Sequence, residues 1–130
     1  MAEHKNVELV RRGYEAFQKG DMDTLREIMA ADVVWHTPGN SVISGDKKGI
    51  DATLAYFGKL FEETDGTVGV EIHDIVGNDE HVVGLQRDTG QRKGKSIDQN
   101  VVLVFHVEGG QAKEVFEVPT DMKAYDDFWK

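Results

Sequence analysis

Cysteine is absent from this 130-residue chain, which excludes a disulfide framework and any thiolate nucleophile or thiolate metal site. The absence suits a reducing compartment. Proline occurs only twice, and no repeat, linker or low-complexity stretch divides the sequence. No apolar run approaches the roughly 18 residues that a membrane helix needs, and the start, Met1 to Asn6, is polar. We therefore expect a soluble, cytoplasmic protein without a membrane partner. Positive charge is in deficit too: 15 Lys and Arg stand against 24 Asp and Glu, a formal net charge of −9. A nucleic-acid binder needs a cationic face to neutralise phosphates, so nucleic acid is not expected as a partner. The local exception, Arg87, Arg92, Lys93 and Lys95, is broken by Gly90 and Gly94 and reads as a solvated hairpin tip.

What is present fits one domain spanning residues 1–130. A chain this long buries roughly two thirds of the surface it exposes when unfolded, so it needs neither a disulfide nor a metal to hold a core. Val7, Val10, Tyr14 and Phe17 share one face of a helix that Asn6 can cap and Gly20 ends. Asp21 caps a second helix carrying Met22, Leu25 and Met29. Residues 32–37 are β-branched and aromatic and run into the turn Pro38-Gly39, which predicts a strand. A polar loop from Asn40 to Lys48 leads to a third helix with Ile50, Leu54, Phe57 and Phe61 on one face.

From Thr67 the period changes to two. Four strands follow, with turns at 77–79, at the basic tip and at Gly109-Gly110, before a short terminal helix carrying Met122, Tyr125 and Trp129. The second half of residues 97–107 is nearly all apolar, which predicts a strand covered on both faces. Helices grouped early and strands grouped late predict an α+β fold.

This order resembles the SnoaL-like polyketide cyclases within the nuclear transport factor 2 superfamily, which also holds ketosteroid isomerase. The segments that carry the resemblance are Tyr14-Glu-Ala-Phe-Gln-Lys-Gly-Asp-Met-Asp23, Asp32-Val-Val-Trp-His-Thr-Pro-Gly39, Ser44-Gly45 with Lys48-Gly49, Val70-Glu-Ile-His-Asp74, and Asp121 through Trp129. It implies a cone: a curved sheet wrapped over three helices, with an apolar pocket inside and no cofactor. It also implies pairing of two copies through the outer face of the sheet. The superfamily hosts isomerases, cyclases, dehydratases, epoxide hydrolases and plain binders, so the fold leaves the activity open. The positions matching the tyrosine, the general base and the second oxyanion donor of ketosteroid isomerase are here Gly13, Thr37 and Val101 or Val102. That mechanism is therefore not expected. The cyclases use an aspartate as acid and base, for which Asp121, Asp98 and Asp74 are candidates. The epoxide hydrolases use a carboxylate–arginine–carboxylate set, of which Arg87-Asp88 offers a part.

Among the residues themselves, His36 is a base poised near neutral pH, or else a strand residue facing away from the pocket. Asp121 is a carboxylate at the pocket mouth or the cap of the last helix. His73 and His106 interrupt apolar patterns and read as core or interface residues. The five histidines form no metal-ligand spacing, and no metal is expected. Tyr14, Phe17, Trp35, Tyr56, Phe57 and Phe116 are expected to form the aromatic wall that binds substrate. The expected function is a pocket for a hydrophobic small molecule with cofactor-free acid/base chemistry of cyclase or isomerase type. His36 and Asp121 would be its catalytic pair, with Tyr14 or Tyr56 as a donor. The alternative is a non-catalytic ligand-binding or interaction protein of the same fold.

Overall fold

A computed structural model describes residues 3–130. Its elements are α1 (Lys5–Lys19), α2 (Met22–Ile28), β1 (Met29–Thr37), β2 (Gly45–Lys48), α3 (Ile50–Glu63), β3 (Gly69–Gly77), β4 (His81–Arg92), β5 (Lys95–Glu108), β6 (Gln111–Pro119) and α4 (Met122–Trp129). The six strands form one curved, unclosed sheet in the order β2-β1-β6-β5-β4-β3. All neighbours run antiparallel except β1 and β6, which are parallel, with Trp35 opposite Val115 and His36 opposite Phe116. The fold is thus an α+β cone. Its concave side is closed by α1 resting on β3 and β4 and by α3 resting on β1 and β2.

The helical stripe of α1 is buried as its spacing requires: Val7, Val10, Tyr14 and Phe17 all face the core. Its cap differs from expectation. His4 accepts the Asn6 backbone N–H at Nδ1, and Asn6 itself is buried. The Asn6 amide donates to the carbonyls of Asn78 and Asp79 at 3.0 and 3.1 Å, tying α1 to the β3–β4 turn. Asp21 does cap α2, accepting from the Thr24 N–H at 3.1 Å. Strand β2 lies inside the segment expected to be a loop. Its sequence Gly-Asp-Lys-Lys has no apolar alternation, and only pairing with Val34 to Thr37 of β1 makes it a strand.

The β5–β6 hairpin turns on Gly109 and Gly110, whose φ angles of 61° and 79° match the left-handed pair that a two-residue turn demands. On β5, Val101, Leu103, Phe105 and Val107 are buried in the cone, while Val102, Val104 and His106 lie half-buried on the outer face. On β6 the outer face exposes Phe116 and Val118. The basic tip is not all solvated. The Arg92 side chain is buried, donating to the Phe128 carbonyl at 3.2 Å, to the Lys130 carbonyl and to Glu63. Lys95 donates to the Asp127 carbonyl at 2.5 Å. Two of the four cations therefore anchor the end of α4, which closes the cone over Tyr125 and Trp129.

Candidate functional site

A cavity of about 90 Å³ lies between the concave sheet and helices α1, α3 and α4. That is room for more than a single water. Most of the wall is apolar, and eight aromatic side chains contribute to it: Tyr14, Phe17, Trp35, Tyr56, Phe57, Phe105, Tyr125 and Trp129. The rings pack edge to face, with Phe57 at 4.9 Å from Trp35 and 5.4 Å from Phe17. Polar groups come mainly from strands β4 and β6, which supply Gln86, Asp88 and Glu117.

Glu117 is a buried hub. Its Oε1 accepts from the Trp35 indole at 2.5 Å, from the Tyr56 hydroxyl and from Thr37 at 3.3 Å, and its Oε2 accepts from Tyr125 at 2.7 Å. An indole N–H can only donate, so this carboxylate is an acceptor that joins β1, α3, β6 and α4. Burial and the negative charge of Glu117 raise the Tyr56 and Tyr125 hydroxyl pKa values well above the ordinary range, keeping both as donors.

Asp88 stands differently. Its Oδ1 accepts from the Gln86 amide at 2.6 Å, and the Gln86 oxygen in turn accepts from the Tyr14 hydroxyl at 2.8 Å. No donor reaches Oδ2 among the described residues. Burial in the apolar cone pushes the Asp88 pKa up to about 7; the Gln86 bond opposes that rise and the charge of Glu117 adds to it. Gly84 makes the chain of bonds possible: a Cβ there would lie 2.1 Å from the Tyr14 hydroxyl. A group that changes charge near neutral pH inside an apolar chamber can give and retake a proton. Among the described residues, no three His, Asp or Glu side chains gather to hold a metal ion.

The two residues expected to be catalytic lie elsewhere, and the structure does not bring them together. His36 is on the outer face, bonded to Asp46 and Glu114 at 2.7 Å each and stacked on Phe116 at 4.5 Å between ring centres. Alternation along β1 decides this, since Trp35 and Thr37 are the buried neighbours. Asp121 caps α4, accepting from the Ala124 N–H at 3.0 Å, and is exposed. Neither is part of the cavity wall. Of the expected aromatic wall, Tyr14, Phe17, Trp35, Tyr56 and Phe57 line the cavity, but Phe116 is 44% exposed on the opposite face. Asp98 pairs with Arg87 on the outside at 2.6 Å, and Asp74 is exposed. Arg87 therefore cannot complete a carboxylate–arginine–carboxylate set with Asp88. His73 is exposed, and His106 stands half-buried beside His81 on the outer face.

Glu117 and Gln86 escaped sequence reasoning, and Asp88 entered it only beside Arg87, because polar and charged strand residues read as solvent-facing. A signal did exist. Counting by two from Val82 gives Gly84, Gln86 and Asp88 on the inner face, and counting by two from Val115 gives Glu117.

Residues 10–115 match the SnoaL-like domain family. The uncharacterized protein Rv0034 of Mycobacterium tuberculosis is 32% identical over 130 residues, covering 99% of each chain. Among solved structures, Bal32a from a soil-derived mobile gene cassette superposes with a TM-score of 0.94 at 41% identity, covering 97% of both chains. An NTF2-like protein from Burkholderia xenovorans LB400 superposes with a TM-score of 0.85 at 23% identity, over 100% of this chain and 99% of that one; at that identity the likeness is one of fold.

Proposed function

The chain belongs to the SnoaL-like domain family, and on that premise we propose that it is a cofactor-free acid/base enzyme of cyclase or isomerase type acting on a hydrophobic small molecule. One observation carries the reading: of the two carboxyl groups in the aromatic-walled cavity, Asp88 alone keeps an oxygen with no protein donor among the described residues. Cyclisations and isomerisations keep the substrate's formula, so one group that gives and retakes a proton suffices. Asp88 is that group, held by Gln86 and, through it, by Tyr14. Tyr14, Phe17, Trp35, Tyr56 and Phe57 form the wall against which the substrate rests. Glu117 keeps the chamber in shape, because its donors all come from the protein.

The test is deuterium wash-in from heavy water into hydrophobic unsaturated ketones, read by mass spectrometry beside a binding measurement. Wild type should exchange carbon-bound hydrogen. Asp88→Asn should slow that exchange by roughly 10²–10⁴-fold while still binding the ketone. Equal exchange in the two proteins removes Asp88 from the chemistry. Ligand binding with no exchange in either favours the non-catalytic binder, the reading that the structural role of Glu117 also suits.

We also propose that two copies pair through the outer face of the sheet. Phe116 and Val118 are 44% and 49% exposed there, beside the half-buried Val102 and Val104. An apolar strip of this kind is what a two-fold interface covers. Sedimentation should show a dimer in wild type and a monomer in Phe116→Asp with Val118→Asp; a wild-type monomer at high micromolar concentration sinks the proposal.

A further inference from the structure

The cavity is charged on one side only. Among the described residues its wall holds two carboxylates, Asp88 and Glu117, and no Lys, Arg or His. Lys47 lies 4.2 Å from the centre of the Tyr56 ring but is not part of the wall, and its ammonium is engaged by the carbonyls of Ile43 and Gly45. The hydroxyls that could steady a negative charge are already committed: Tyr14 to Gln86, and Tyr56 and Tyr125 to Glu117. A ligand that became an enolate by giving its proton to Asp88 would face the Glu117 carboxylate. Besides the newly protonated Asp88, it would find only one uncommitted donor in the wall among the described residues, the neutral Trp129 indole N–H.

Positive charge meets the reverse situation. Aromatic faces attract cations through their quadrupole, most strongly where water is excluded. Tyr14, Phe17, Trp35, Phe57 and Phe105 surround the space, and Asp88 Oδ2 has no partner among the described residues. Asp88 is half-buried in the cavity wall, and a carboxylate oxygen without a protein donor there gains from a cation placed against it.

We infer that the cavity selects hydrophobic molecules that carry or develop positive charge and turns away carboxylates. The inference rests on the cavity being a small-molecule site and narrows the chemistry of that site. Asp88 acts first as an acid, its proton passing to a double bond or carbonyl oxygen of the substrate. The cation so formed is held by the ring faces and by Glu117. After the internal bond shift, a neighbouring carbon gives a proton back to the Asp88 carboxylate, so atoms and charge balance with no second reactant.

Three ligands of matched shape test this: 2-naphthylmethylamine, 2-naphthylmethanol and 2-naphthoate, followed by quenching of the cavity tryptophans Trp35 and Trp129. At pH 8 the ammonium should bind at least about tenfold tighter than the alcohol, and the carboxylate at least about tenfold weaker. Asp88→Asn should bring ammonium and alcohol within about twofold. In wild type, the ammonium should lose affinity as pH falls below about 7, where Asp88 takes up its proton; the alcohol should not. The other titratable groups facing Asp88 are Glu117 on β6 and the hydroxyls of Tyr14, Tyr56 and Tyr125, and burial lifts all three hydroxyls far above this range. Naphthoate binding as tightly as the amine, or an amine preference that survives both Asp88→Asn and acidification, overturns the inference while leaving the small-molecule site intact. Failure of all three to bind overturns that site as well.

Discussion

Strands β1 and β6 carry two clusters built from the same parts, one on each face of the sheet. Inside, the Trp35 ring nitrogen meets Glu117 at 2.5 Å; outside, the His36 ring nitrogen meets Glu114 at 2.7 Å. The residues involved are sequence neighbours or nearly so, and alternation along the strand alone separates them. Yet Glu117 is 8% exposed and shares its oxygens among four donors, whereas Glu114 and His36 touch water. Geometry is nearly equal in the two clusters, and the surrounding dielectric is not. A ring–carboxylate contact is therefore a structural bolt on one face and a weak, salt-sensitive clasp on the other.

Removing the inner carboxylate should break this comparison most sharply. Glu117→Ala leaves four buried donors without their acceptor and should cost about 3–5 kcal/mol in urea unfolding, against at most about 1 kcal/mol for Glu114→Ala. Equal losses would mean that burial does not distinguish the faces.

Asp88 sharpens the contrast through pH. Its folded pKa of about 7 lies above the ordinary value of 3.8, so the folded protein holds this proton more tightly than the unfolded chain does. The stability it contributes is complete below about pH 4 and is lost as pH rises to about 7. Asparagine mimics the protonated form. Asp88→Asn should match wild type at pH 4 and exceed it by about 2–4 kcal/mol at pH 8. A difference that does not change with pH would place Asp88 in water.

Next comes Gly84→Ala, whose Cβ collides with the Tyr14 hydroxyl. The change should cost about 1–3 kcal/mol and part Tyr14 from Gln86, visible in near-ultraviolet circular dichroism.

The smallest effect belongs to the outer cluster. Burial alone would lower the His36 pKa, but its bonds to Glu114 and Asp46 outweigh that and raise it above 6.5. Its stabilisation is therefore present below about pH 6.5 and lost as pH climbs through the folded value. His36→Asn should remove under about 1 kcal/mol at pH 5.5, less in molar salt, and almost nothing at pH 9.

Much of the cone could be read from residue spacing: the stripe of α1, the Gly20-Asp21 corner and the four-strand meander follow from local periodicity. What escaped was non-local. Strand β2 exists only through its pairing with β1, and the parallel β1–β6 joint leaves no turn signature. The site escaped for a related reason. A run such as Val83, Gly84, Leu85 presents its larger apolar groups outward, so hydrophobicity points to the wrong face of β4. Phe116 misled in the same way: the aromatic is outside and the acid, Glu117, is inside. His36 and Asp121 drew attention as ionisable groups in suggestive places, and each instead ties local structure together on the surface.

The β1–β6 joint has a consequence in time. Thr37 and Glu117 are 80 residues apart in sequence, so closing that joint costs more chain entropy than any hairpin of the meander. Strands β3 to β6 can zip from turn to turn, each hairpin on a scale of roughly 1–10 μs, while β1 waits for the long loop to close. Until then Glu117 has no Trp35, the chamber has no roof on that side, and there is nothing for a ligand to recognise. We expect closure of this joint to limit refolding, and a bound ligand therefore to leave the refolding rate unchanged and to slow unfolding alone.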